Sequence, residues 1–206
     1  MESMARYQGA CFNHRAQRMD LLSELQALIA DDPMRLRVLH HVHDLRLPDC
    51  WVAAGFVRSA VWDRQHMRSG SPLPSDVDVI WFDRDRTSPE IDVQIETALH
   101  KVDSSVNWSV KNQARMHLRN GDHPYSSAVE AMKAWPETAT AVAVRIREGG
   151  DIEAAAPFGL DDLFNLIVRP TDRFLLDKRQ VYLDRLRSKD WLTTWPDLQI
   201  SHGDNV

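Results

Sequence analysis

The stretch Ser75-Asp76-Val77-Asp78-Val79-Ile80-Trp81-Phe82 decides how this chain is read. It is rich in β-branched and aromatic residues, which suit a pleated, half-buried surface, so a short strand is expected over about residues 76–82. Side chains alternate along a strand. Asp76 and Asp78 therefore share one face, while Val77, Val79 and Trp81 turn toward a core. Two carboxylates held on one rigid face repel each other and are costly to keep ionised without a cation. A hard divalent ion such as Mg²⁺, which binds carboxylate and phosphate oxygens, is the matching partner, so Asp76 and Asp78 are the candidate metal ligands and catalytic pair. The rival reading makes them exposed charges that guard an edge strand against aggregation.

Working upstream, Cys50-Trp51-Val52-Ala53-Ala54 is a short apolar run that ends at Gly55, and helical spacing follows from Phe56 to Met67. A glycine where a buried strand turns into a helix leaves free backbone N–H groups facing outward and no Cβ in the way of a phosphate. Arg58 on the first turn of that helix, and Ser59 beside it, are candidate phosphate ligands together with Gly55. About twenty residues separate this element from the aspartates, which could hold a cation that bridges the same phosphates. Downstream, Lys111, Arg115 and Arg119 recur at four-residue intervals and would form one basic stripe on a helix. That stripe reads equally as a phosphate-neutralising surface, with Lys111 nearest the aspartates, or as a solubilising face.

Around this centre, strands and helices interleave, which defines an α+β class with an α/β-like mixed sheet. Helices are expected over 14–30 and 33–45, the second capped by Asp32 with Pro33 in its first turn. A helix is expected from Glu90 to Lys101, a strand from Val106 to Lys111, then helices from Asn112 to Leu118 and from Ser127 to Trp135. Glu148-Gly149-Gly150-Asp151 reads as a hairpin turn between Thr138–Arg145 and Ile152–Ala156, and an amphipathic tail runs from Asp172 to Lys189. The organisation reads as one domain over 1–206: N-terminal helices at 14–45, a core at 50–111, and an extension at 112–206.

Bulk properties narrow the function classes. The 206-residue chain carries a net charge of −5, which argues against a protein that coats nucleic acid by bulk attraction. Its two cysteines, Cys11 and Cys50, indicate neither a disulfide framework nor a zinc knuckle. No apolar run approaches the ~20 residues of a membrane span, and residues 1–18 lack the apolar block of a signal peptide. A cytoplasmic setting is expected. His40, His41, His43 and Asp44 lie close in sequence, but without cysteine or a demanding spacing they read as a solvated helix face.

The chain resembles the nucleotidyltransferase superfamily that includes DNA polymerase β and the antibiotic-modifying nucleotidyltransferases. Within it, the chain is similar to a bacterial family known simply as nucleotidyltransferase family proteins. The resemblance covers nearly all of residues 35–197. It rests on Ala54-Gly55-Phe56-Val57-Arg58, Ser75-Asp76-Val77-Asp78, the block from Trp108 to His117, Pro124-Tyr125-Ser126-Ser127, Trp135-Pro136-Glu137-Thr138-Ala139-Thr140, and the block from Ala156 to Leu163. The superfamily implies a mixed sheet flanked by helices and Mg²⁺ on the paired aspartates. It also implies transfer of a nucleoside monophosphate from an NTP, such as ATP, to an acceptor hydroxyl on a small molecule or protein.

Two departures stand out. Phe56 follows Gly55 where the superfamily has Gly-Ser or Gly-Gly. On the next core strand, where a third carboxylate is implied, the inward polar positions are Asn107 and Ser109, neither able to act as a general base. Asp103, before that strand, is the fallback. A catalytically silent nucleotide-binding or protein-interaction module on the same fold is therefore the alternative to an active enzyme, with a metal-dependent phosphohydrolase third.

Overall fold

A computed structural model describes residues 20–202. Helix α1 covers 20–30; the expected start at 14 lies outside the described residues. Helix α2, Pro33–Asp44, begins as its sequence requires: Asp32 accepts from the Met34 and Arg35 amides at its N-terminus, and Pro33 occupies a position that needs no donor. Strand β1 is Trp51–Ala53, helix α3 is Gly55–Gln65, strand β2 is Val77–Trp81 and helix α4 is Pro89–Val102. Strand β3 is Trp108–Asn112, followed by a 3₁₀ turn at Gln113–Arg115 and short helices α5, Met116–Asn120, and α6, Ala128–Met132. Strands β4, Ala143–Ile146, and β5, Ile152–Ala155, form the expected hairpin.

The five strands make one mixed sheet in the order β3-β2-β1-β4-β5. Only β2 and β3 run parallel; β1 is antiparallel to both β2 and β4. The fold class is thus α+β, a mixed sheet flanked by helices. Period-two alternation sorts the two faces. Val52, Val77, Val79, Trp81, Trp108, Val110 and Val144 pack in one cluster with Val38 and Leu39 of α2 and Phe56 and Val61 of α3. Trp51, Ala53, Ile80 and Ala143 face the other way, against Ala128 and Met132 of α6. Asp78, Ser109 and Lys111 share the parity of this second face.

The C-terminal region differs from the single tail helix that periodicity predicted. After α7, Asp161–Phe164, and β6, Ile167–Val168, the chain forms α8, Asp172–Leu175, then α9, Arg179–Lys189. It then makes α10, Trp191–Thr194, and β7, Gln199–Ile200, which pairs parallel with β6. The break between α9 and α10 is Asp190, held in the left-handed region at φ 45° and ψ 35°. Among the described residues, no helix is long and apolar enough to cross a membrane.

Candidate nucleotide and metal site

The register of the central strands assembles the site. Ala53 on β1 pairs with Asp78 on β2, and Asp78 pairs with Ser109 on β3. Because β1 ends at Ala53, the Ala54–Gly55 turn is delivered to the same end of the sheet as Asp76 and Asp78. The edge-strand reading of the aspartates is overturned by the strand order, since β2 lies between β3 and β1. The strand itself begins at Val77, so Asp76 stands immediately before it, with its carboxylate accepting from the Ser75 hydroxyl at 3.0 Å.

Asp78 is pushed up from 3.8 to about 6, first by burial and then by the neighbouring Asp76 charge, with a hydrogen bond from Ser109 and the cations Arg58 and Lys189 opposing the shift. Such a carboxylate pair has more negative charge than its surroundings compensate, and its oxygens are hard donors. This fits Mg²⁺, which binds through one or two carboxylates and takes its remaining ligands from phosphate and water. Among the described residues, no group of three or more His, Cys, Asp or Glu side chains is placed to hold a metal by protein ligands alone. The histidines of α2 follow suit: His43 meets the Ile146 carbonyl at 3.1 Å and His41 lies 3.8 Å from Asp103.

Gly55 opens α3 under a loop. A Cβ on it would stand 3.3 Å from Pro74 Cβ and 3.6 Å from Arg58 Nη2, so the missing side chain lets the 70–76 loop close down on the helix start. The sharp turn before the helix is carried by Ala54, at φ 54° and ψ −121°, a conformation rarely adopted by residues with a Cβ. Arg35, fully buried, braces both sides: its Nε donates to the Phe56 carbonyl at 3.0 Å and Nη1 to the Ser71 carbonyl at 2.9 Å. Phe56 is entirely within the core beneath the Arg35 guanidinium, so its side chain offers nothing to a phosphate.

Arg58 is buried beside this turn. Its Nη1 donates to Thr140 Oγ1 at 2.9 Å, and its guanidinium carbon lies 4.9 Å from the Trp62 ring centroid and 4.7 Å from that of Trp191. Its Nε is buried with no hydrogen-bond partner. Burial pulls it down from 12.5 to about 10, which leaves it charged at neutral pH, while Glu137, Asp78 and Asp76 act in the opposite sense. Ser59 is buried one residue further along α3.

Lys111 does not join this group. Its ammonium turns to Glu96 on α4 at 3.0 Å and to the Val110 carbonyl at 2.8 Å, at the outer edge of the sheet. The expected basic stripe also dissolves, because β3 continues through Asn112. The Asn112 side chain accepts from Ala114 N–H and donates to the carbonyls of Asp83 and Arg86, so a 3₁₀ turn starts where a helix was expected. Lys111 is left in the strand, and Arg115 pairs with the buried Asp92. Asp103 is likewise committed elsewhere, with Arg37 of α2 at 3.0 Å. Asn107 is exposed and donates to the Ser75 carbonyl at 3.0 Å.

Sequence reasoning missed the residues that reach the site from the C-terminal half: Glu137, Thr140, Arg185, Lys189 and Trp191. Glu137 and Thr140 sit within a stretch that carried the family resemblance, which was the one available signal. The largest cleft, of about 1120 Å³, contains none of the site residues; it lies between α2 and the β4–β5 hairpin. Cys50 on its wall has its thiol pushed up to about 12 by burial, which disqualifies it as a nucleophile.

A turn that admits phosphate, two carboxylates on an internal strand and a buried arginine between aromatic rings are the parts of a nucleotide-handling site. The chain belongs to the nucleotidyltransferase family, whose profile matches residues 40–200. It is similar, at 34% identity and a TM-score of 0.77, to a protein whose NMR structure reveals a CCA-adding enzyme head domain; the match covers 87% of this chain and 95% of that one. It shares its fold with a CCA-adding enzyme solved in complex with CTP, at 14% identity and a TM-score of 0.53 over 87% of this chain, but it spans only 43% of that enzyme's length. No curated protein matches the sequence.

Proposed function

We propose that the protein is a Mg²⁺-dependent nucleotidyltransferase that moves a nucleoside monophosphate from an NTP to an acceptor hydroxyl on a small molecule or protein. The observation that carries this reading is Asp78: an internal-strand carboxylate, raised by burial and by Asp76, at the same sheet end as the Gly55 turn and the buried Arg58. When bound, Mg²⁺ would be held by Asp76 and Asp78 and would supply charge neutralisation for the triphosphate and its leaving pyrophosphate. The protein's own groups do the rest. The Gly55 turn admits phosphate oxygens to the first amides of α3, and Arg58 stabilises the charge that develops on them. In-line attack by the acceptor oxygen breaks the bond between the α-phosphorus and the bridging oxygen and releases pyrophosphate.

A second reading, a silent nucleotide-binding module, is favoured by one specific observation: Ser109, not a carboxylate, faces Asp78 across the strand register. The two separate cleanly. Protein incubated with Mg²⁺, each NTP labelled at the α-phosphate, and a cell extract is fractionated into protein, RNA and small molecules. The enzyme reading expects label in one fraction, lost with Asp78→Asn; nucleotide binding with no labelled product in any fraction establishes the silent module instead.

A further inference from the structure

The C-terminal segment is fastened along α3. Trp191 packs edge-on to Trp62 with ring centroids 5.5 Å apart, Trp195 does so at 5.1 Å, and Trp195 Nε1 donates to Asp63 at 2.8 Å. Arg58, on the first turn of α3, is clamped between the Trp62 and Trp191 rings. Arg185, one turn before the end of α9, donates from Nε to Glu137 at 2.6 Å, and Glu137 is fully buried. These anchors fix both sides of a two-residue interval, Lys189-Asp190, at the entrance of α3. The left-handed Asp190 supplies the sharp bend that lets α9 end while Trp191 turns back into the packing.

We propose that Lys189, held at the start of α3 by the Trp191–Arg58 stack and the Arg185–Glu137 ion pair, is a triphosphate ligand that completes the Asp76/Asp78 site. This rests on the nucleotidyltransferase reading given above. Lys189 is exposed and, among the described residues, has no hydrogen bond or ion pair of its own, so its ammonium is available to a ligand. Its charge nonetheless acts on the Asp78 carboxylate, together with that of Arg58. A buried arginine whose Nε lacks a partner on one side and an unpaired ammonium on the other bracket the aspartate pair with positive charge. An ammonium is a mobile point charge with three donors, suited to the terminal phosphates of a flexible triphosphate; the fixed guanidinium of Arg58 suits the end against the helix. Glu137 acts as a positioning residue through Arg185, and it touches no substrate.

The test is calorimetric titration of the full chain, in Mg²⁺, with a non-hydrolysable NTP and, in parallel, with the corresponding NMP. Lys189→Ala is expected to weaken the NTP about tenfold or more while changing NMP binding less than about twofold. Lys189→Arg is expected to recover most of the loss, and Arg187→Ala, a neighbouring surface cation paired to Asp184, to bind like the wild type. Because Lys189 is exposed, its variants are expected to unfold at the wild-type temperature, which is measured alongside. The inference is overturned if Lys189→Ala binds NTP normally, or if NTP and NMP weaken equally. If the wild type itself binds no NTP, the functional reading falls together with it; if only the Lys189 result fails, the functional reading stands.

Discussion

Asp78 on β2 and Ser109 on β3 face each other in parallel register, and the serine hydroxyl hydrogen-bonds the aspartate carboxylate. Serine holds that carboxylate in place and stabilises its charged form, but it adds no negative charge to the site and takes no proton at neutral pH. The arrangement therefore has two acidic ligands and a hydroxyl where three acids were implied. It makes Asp78 unusually dependent on its neighbours, and each of them can be probed.

Removing the hydroxyl should move Asp78. The Ser109 hydrogen bond lowers an Asp78 already raised to about 6. In Ser109→Ala, the Asp78 carboxyl is expected to titrate at a higher pH than in the wild type, in metal-free protein followed by NMR. An unchanged or lowered midpoint would show that the hydroxyl does not serve this carboxylate.

Asp78→Asn should stabilise the metal-free protein at alkaline pH. With a folded value of about 6 against an ordinary 3.8, the wild-type residue contributes stability fully below pH 3.8 and loses it as pH rises through 6. At pH 8 in chelator, the asparagine variant is expected to exceed the wild type by on the order of 2 kcal/mol. Mg²⁺ with NTP should then raise the wild-type midpoint and leave the variant unmoved. Denaturant unfolding at pH 5 and pH 8 checks the sign.

Gly55→Ala should loosen the phosphate turn more than the fold. The added methyl would stand 3.3 Å from Pro74 Cβ, so the loop leading to Asp76 must yield by a few tenths of an ångström. A destabilisation of about 1 kcal/mol is expected, with NTP affinity reduced about tenfold or more. An equal loss of NTP and NMP binding with a normal midpoint would place the effect elsewhere.

Arg35→Met should be costly although Arg35 lies outside the catalytic group. Fully buried, it ties α2 to the Phe56 carbonyl and to the Ser71 backbone and hydroxyl, and Asp32 completes its pairing. Removing one partner of a buried ion pair costs about 3 kcal/mol or more. A fall of roughly 6–12 °C in the melting midpoint is expected for a chain of this size, read by calorimetry.

Much of the architecture is legible in the residues because local rules dictate it. The alternation Val77-Asp78-Val79 required a strand with acid on one face, Asp32-Pro33 marked the start of α2, and Glu148-Gly149-Gly150-Asp151 marked the hairpin between β4 and β5. The reading failed where one side chain outweighed periodicity. Asn112 binds three backbone groups and turns an expected helix into strand plus 3₁₀ turn, which redirects Lys111 to Glu96. The single tail helix failed because Trp191 gains more by packing on Trp62 and Arg58 than Asp190 loses by bending left-handed.

The sequence by itself determined that a glycine turn and an aspartate pair belong to one α+β sheet, because strand alternation and backbone freedom are properties of a few consecutive residues. Tertiary structure alone decided that β2 is internal, that Ser109 stands opposite Asp78, and that Arg58, Glu137, Arg185 and Lys189 gather around them. Those neighbours lie up to about 130 positions apart in the chain. Their meeting depends on sheet register and on aromatic packing between distant segments, neither of which any local pattern encodes.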